Sequence, residues 1–209
     1  KSSSCNLVLA NDTKTRVNMI ITPEQARYSV STQRDDVLSD LVNMALARSQ
    51  STFTRSTVVQ GSSVAWEDPM IPTALRAVVN HCIKNGAYKP FGGATVGHFA
   101  VKVNETTFLT SKRKSNFNHL YEVGLVEVES ESSDSVIAYG GKPSVGGQSQ
   151  RIVFKNHPDV DCIVHFHCPP SNKSKLPIRP QKFLECGSHE CGQNTSDGLS
   201  EVEPGIKVI

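Results

Sequence analysis

Two rhythms of apolar residues run along this chain, and the change from one to the other predicts its elements. Leu75, Val78, Val79, Cys82 and Ile83 repeat at helical spacing behind Pro72, with Lys84 in the last turn and Gly86 as a stop. This pattern predicts a helix over about 72–85. A similar stripe at Val37, Leu38, Leu41, Ala45 and Leu46 follows Asp35 and Asp36. It predicts a helix from 35 to 48, with its acidic residues at the positive end of the dipole. Strands are predicted at 5–10 and 17–21, each closed by polar or proline-containing residues, then at 99–103, 107–110, 123–128, 136–139 and 160–167. Residues 149–155 and 188–199 read as helices, the second with Ser188 as N-cap. The Ser/Thr-rich stretch between the first two helices has no period and is expected to be a linker or an extended crossover.

The expected organisation is therefore a segment at 1–50, a linker at 51–69 and a mixed α/β domain at 70–209. With 209 residues the chain can bury one sizeable core. A net charge of +2 argues against a polyanion-coating surface and an acidic solvating tail, so no nucleic-acid partner is expected. No apolar run reaches the length of a membrane span and no signal pattern opens the chain. The six cysteines do not fall in a disulfide-framework or four-ligand zinc spacing, which favours reduced thiols and a cytoplasmic location. Asn-x-Ser/Thr matches at Asn11, Asn104, Asn172 and Asn194 then count as chance.

His165 and His167 are the first candidates for chemistry. On a strand, residues i and i+2 share a face with backbones about 7 Å apart, so two imidazoles can reach one ion. A catalytic zinc wants three protein ligands and an open position. Ordinary hydrogen bonding of two strand histidines is the plain alternative. The Gly92–Gly97 turn could cradle an anion or simply reverse the chain. Ser111-Lys112-Arg113-Lys114 reads either as a phosphate or carboxylate clamp or as a solvated loop. A further turn, Gly140–Gly147, could close the same pocket.

Taken in order, Gly97-His98-Phe99-Ala100-Val101-Lys102, Phe108-Leu109-Thr110, Lys142-Pro143-Ser144 and His157-Pro158-Asp159-Val160-Asp161-Cys162-Ile163-Val164-His165-Phe166-His167 resemble the class II aldolase/adducin family. Gly187-Ser188-His189-Glu190 matches that family's helix opening. The resemblance implies an α/β/α domain with a central, mainly antiparallel sheet. It also implies a zinc or other divalent metal held by His165 and His167, and a homotetramer with sites at subunit interfaces. Gly97, His98, Lys112, Arg113 and Ser144 fall at anion-binding positions, although His98, Lys112 and Arg113 depart from the family's residue types. Gly146 stands where the family has its acid/base glutamate, so the catalytic group is unassigned. The third metal histidine is expected just beyond Ile209, with His189 as the substitute within the chain.

The implied activity is a metal-dependent aldolase-type lyase acting on a small phosphorylated or otherwise anionic hydroxy-carbonyl. Alternatives are a dehydratase or epimerase of the same family, or a non-catalytic adducin-like module. Residues 6–12, with the strand and helix that follow, resemble the C-terminal end of phosphopantothenate–cysteine ligases. That likeness implies a partial Rossmann-like α/β segment and a fusion of the two proteins.

Overall fold

The computed structural model describes residues 6–8, 18–21, 28–168 and 184–209. The chain divides into two compact units, Lys1–Ser51 with Lys182–Glu185, and Thr52–Gln181 with Cys186–Ile209.

In the first unit, β1 (Asn6–Val8), β2 (Asn18–Ile21) and β3 (Tyr28–Ser31) form an antiparallel sheet followed by helix α1 (Arg34–Gln50). The expected α/β character is present, but a Rossmann-like half is built on parallel strands and these strands are not. The Asn11-Asp12 turn of the ligase resemblance lies outside the described residues. Helix α1 buries Val37 and Met44, while Leu38 and Leu46 of the predicted stripe are exposed. The apolar residues of α1 cover more than half its circumference, so spacing alone did not select the packed face. Ser29 on β3 donates to Asp40 of α1 at 2.5 Å.

The second unit opens with β4 (Arg55–Val59), α2 (Thr73–Lys84), a small hairpin of β5 (Pro90–Phe91) and β6 (Ala94–Thr95), β7 (His98–Lys102) and β8 (Thr107–Ser111). A single 3-10 turn at Phe117–His119 leads into α3 (Leu120–Val123). Then come β9 (Leu125–Ser130), β10 (Ser135–Tyr139), α4 (Gly147–Asn156), β11 (Cys162–His165), α5 (His189–Gly198) and a hairpin of β12 (Ser200–Glu203) and β13 (Ile206–Val208).

Six strands make one sheet in the order β11-β7-β8-β9-β10-β4, antiparallel throughout except for the parallel β10–β4 pair. The expected central, mainly antiparallel sheet is present. The expected linker at 51–69 is not one: it supplies the edge strand β4, and its Trp66 is buried. Pairing with β10 and the anchoring of one indole override the unstructured look of a Ser/Thr-rich segment.

Alternation along the strands sorts the core into two layers. On one face Phe99, Val101, Leu109 and Leu125 pack with Leu75, Val79 and Cys82 of α2 and with Trp66 and Phe117. On the other, Ala100, Phe108, Val126, Val128, Val136 and Ala138 pack with Phe154 of α4. Phe99 meets Trp66 and Phe117 edge-on, with ring centroids 5.3 and 5.2 Å away. Ser188 caps α5 as expected, its Oγ accepting from Cys191 N at 3.0 Å. Lys207 of β13 donates to Asp159 at 2.8 Å, tying the terminal hairpin to the turn before β11.

Phe99→Ala removes a fully buried ring from its contacts with Trp66, Tyr88 and Phe117 and is expected to cost about 3–5 kcal/mol. Ser188→Ala should cost about 1 kcal/mol through the lost cap. Urea unfolding of both variants against wild type measures each loss, and an equal cost for the two would contradict the packing described.

Candidate active site

His98 begins β7 and His165 ends β11, and the antiparallel register sets them directly opposite one another. Both project to the α4 face. Their rings stack with centroids 4.5 Å apart and planes at 19°. The strand ends at His165, two residues short of the expected His167, yet the turn past it still brings His167 round. The Nε2 atoms of His165 and His167 lie 3.0 Å apart. Two imidazole nitrogens on one tetrahedral zinc would be separated by roughly 3.3 Å, given the usual zinc–nitrogen bond. At 3.0 Å the two nitrogens are within hydrogen-bond distance of each other, and a small separation would bring them to the spacing of a metal half-site, which their donor type suits. Among the described residues no group of three His, Cys, Asp or Glu side chains gathers to complete it.

Three nearby imidazoles disfavour charge on one another. His98 is held well below the ordinary histidine value by burial first, then by repulsion from His165 and His167. His165 falls to about 4 from desolvation and then from His167. Burial and Lys89 lower His167.

The loops expected to close the pocket do meet. Lys112 bridges to Pro143, Arg113 N donates to Lys142 O at 3.0 Å, and Ser144 N donates to Ser111 O at 2.9 Å. This brings Lys112, Arg113 and Ser144 into one loop cluster, whose Gly146 lies against the His98 ring. Gly97 has φ 121°, and a Cβ there would stand 2.6 Å from His165 O and 2.7 Å from the Tyr88 ring. Its glycine is thus a packing necessity next to the histidines.

His189 lies elsewhere. Its Nε2 is 2.7 Å from Thr54 Oγ1, and it lines a cleft of about 350 Å³ between α4 and α5 with Arg151, Lys155, Asn156, Glu190 and Gln193. That cleft includes none of His98, His165 and His167. Arg151 donates to Ser133 O at 2.7 Å and to Thr54 at 3.2 Å, which makes it a structural tie. Glu190 accepts from Thr52 N and Oγ1, closing the helix opening onto the start of the unit. His157 caps α4 and holds Ser196 O at 3.0 Å.

The family resemblance places His98 at an anion-binding position and gives Gln150 no role. The structure makes both part of the histidine cluster, with the Gln150 amide 2.6 Å from His98 Nδ1. Gln150 in turn accepts from Thr110 at 2.7 Å. Gln150 and Thr110 are completely buried.

Residues 78–173 match the model of the Class II Aldolase and Adducin N-terminal domain. The chain's mixed α/β architecture and mostly antiparallel sheet agree with the family fold. Among solved structures it is similar to YgbL from Escherichia coli, provisionally assigned as an aldolase/epimerase/decarboxylase. That match has 17% identity and a TM-score of 0.42, and covers 58% of this chain and 66% of the other. The chain thus spans just under two thirds of that neighbour's length. No curated protein matches it. No helix among the described residues is long and apolar enough to cross a membrane.

The metal-free chain should lose stability as pH falls from about 6.5 toward 4. The unfolded histidines take up protons over that range while His98 and His165, lowered in the fold, do not. The sign is that stability is present above the unfolded value and is lost below it. Urea midpoints of chelator-treated protein at pH 7.5, 6 and 5 check this, and His98→Asn should flatten the slope.

Proposed function

We propose that the second unit is a metal-dependent, aldolase-type lyase domain acting on a small phosphorylated or otherwise anionic hydroxy-carbonyl. The observation that carries this reading is the 3.0 Å convergence of the His165 and His167 Nε2 atoms, within a segment that matches the class II aldolase and adducin domain. His165 and His167 would hold a divalent metal such as zinc, with a third protein group and substrate oxygens filling the other positions. When bound, such an ion supplies Lewis-acid polarisation of the substrate oxygens.

The chain's own residues supply the rest. Lys112 and Arg113 offer cations for the anionic end of the substrate, with Arg able to bind an oxyanion through two parallel N–H groups. Ser144, fixed through Ser111, adds a hydroxyl from the facing loop. With Gly146 in place of the expected glutamate, reaction by water loss or epimerisation remains the alternative within the same chemistry. The family resemblance adds an expected homotetramer. A non-catalytic adducin-like module is favoured only where the metal is absent.

Elemental analysis of purified protein tests the reading. Wild type is expected to hold close to one equivalent of divalent metal, and a His165→Ala/His167→Ala variant to hold none. Wild type without metal would sink the lyase reading in favour of an interaction module. Chelation is expected to abolish turnover of a panel of phosphorylated ketoses and aldoses, and adding back zinc to restore it. Aldehyde release in that panel identifies a lyase, and loss of water a dehydratase.

A further inference from the structure

The His98 imidazole is held through its Nδ1 edge and lies between Gly146 and the stacked His165 ring. Thr110 Oγ1 donates to Gln150 Oε1 at 2.7 Å, and the Gln150 amide nitrogen lies 2.6 Å from His98 Nδ1. Both partners are sealed from solvent, and Thr110 Oγ1 also reaches Phe99 O at 3.2 Å; with the Gln150 amide in this orientation its N–H donates to the ring nitrogen. Nδ1 therefore accepts. A neutral imidazole with an accepting Nδ1 carries its proton on Nε2. Nε2 has no hydrogen-bond partner among the described residues and lies on the side of the ring that faces Gly146.

Gly146 explains how the ring fits there. Its φ of −66° and ψ of −7° suit any residue, so the backbone does not call for glycine. The imidazole does: a Cβ at 146 would stand 2.1 Å from His98 Nε2 and Cδ2. The ring occupies the space that a side chain at 146 would take, stacked 4.5 Å from His165. The loop carrying Gly146 is the one stitched to Lys112 and Arg113.

We propose that His98 is a substrate-binding catalytic residue, its Nε2–H donating to the carbonyl oxygen of the hydroxy-carbonyl, held in one tautomer by Gln150 and admitted by Gly146. The assignment rests on the reading of His165 and His167 as a metal half-site. A preorganised donor at this oxygen stabilises the charge that develops there during reaction, and a fixed neutral imidazole serves well. It gives the site a polar group where position 146 has no side chain.

The test uses the full 209-residue chain with 15N-labelled histidine. His98 is expected to show a proton on Nε2 and none on Nδ1, and Gln150→Leu to let both tautomers appear. Dihydroxyacetone phosphate labelled with 13C at its carbonyl is the probe. Added to zinc-loaded wild type, it is expected to move the Nε2–H signal and to show a downfield-shifted bound carbonyl. Gly146→Ala, which evicts the ring, is expected to keep its zinc, lose the carbonyl shift and bind the probe up to about tenfold more weakly. A proton on Nδ1, an Nε2–H signal indifferent to the probe, or a Gly146→Ala protein equal to wild type each overturns the role of His98 and leaves the metal reading standing. Wild type that takes up no zinc overturns the metal reading and this assignment with it. The tautomer measurement needs no metal and still judges the Gln150 arrangement.

Discussion

The antiparallel pairing of β11 with β7, at one edge of the sheet, decides where every histidine of the site can stand. Its register places His165 opposite His98. Alternation then forces both rings to the α4 side, because Phe99 and Val164 between them belong to the opposite layer. A slip of one residue would turn the pair toward α2 and bury it among apolar side chains. The aromatic packing of Trp66, Phe99 and Phe117 resists such a slip, so the core layer and the polar layer hold each other in register.

Much of this architecture was legible along the chain. The stripe from Leu75 to Ile83 located α2, alternation located β7, β8, β9 and β10, and Ser188 marked the start of α5. What could not be read depended on partners distant in sequence. Arg55–Val59 looked like linker because its strand character comes from pairing with β10 rather than from its own Ser/Thr-rich composition. Met44 displaced Leu38 and Leu46 from the buried face of α1 because apolar residues spread over more than half of a helix leave that choice to the sheet it meets.

The site was legible in part for the same reason. His165 and His167 share local spacing, so their convergence could be anticipated, even though the strand stops at the first of them. The partnership of His98 with Gln150 depends on a helix and a strand meeting across the sheet face, which no local pattern encodes. His189 shows the reverse: a histidine of the right type, near a matching motif, engaged by Thr54 instead. Residue type nominates a ligand, and only topology seats it.

Gly146 carries a consequence for how such a pocket can change. Its backbone tolerates any side chain, and the one obstacle is the imidazole lying over it. Positions 98 and 146 therefore obey an exclusion rule, in which a functional group can enter the pocket from the strand or from the helix entrance but not from both. Moving from one option to the other requires two substitutions, and either alone leaves a collision or a void. A sequence bearing a large residue at both positions would need a different course for the loop between Pro143 and Gly147.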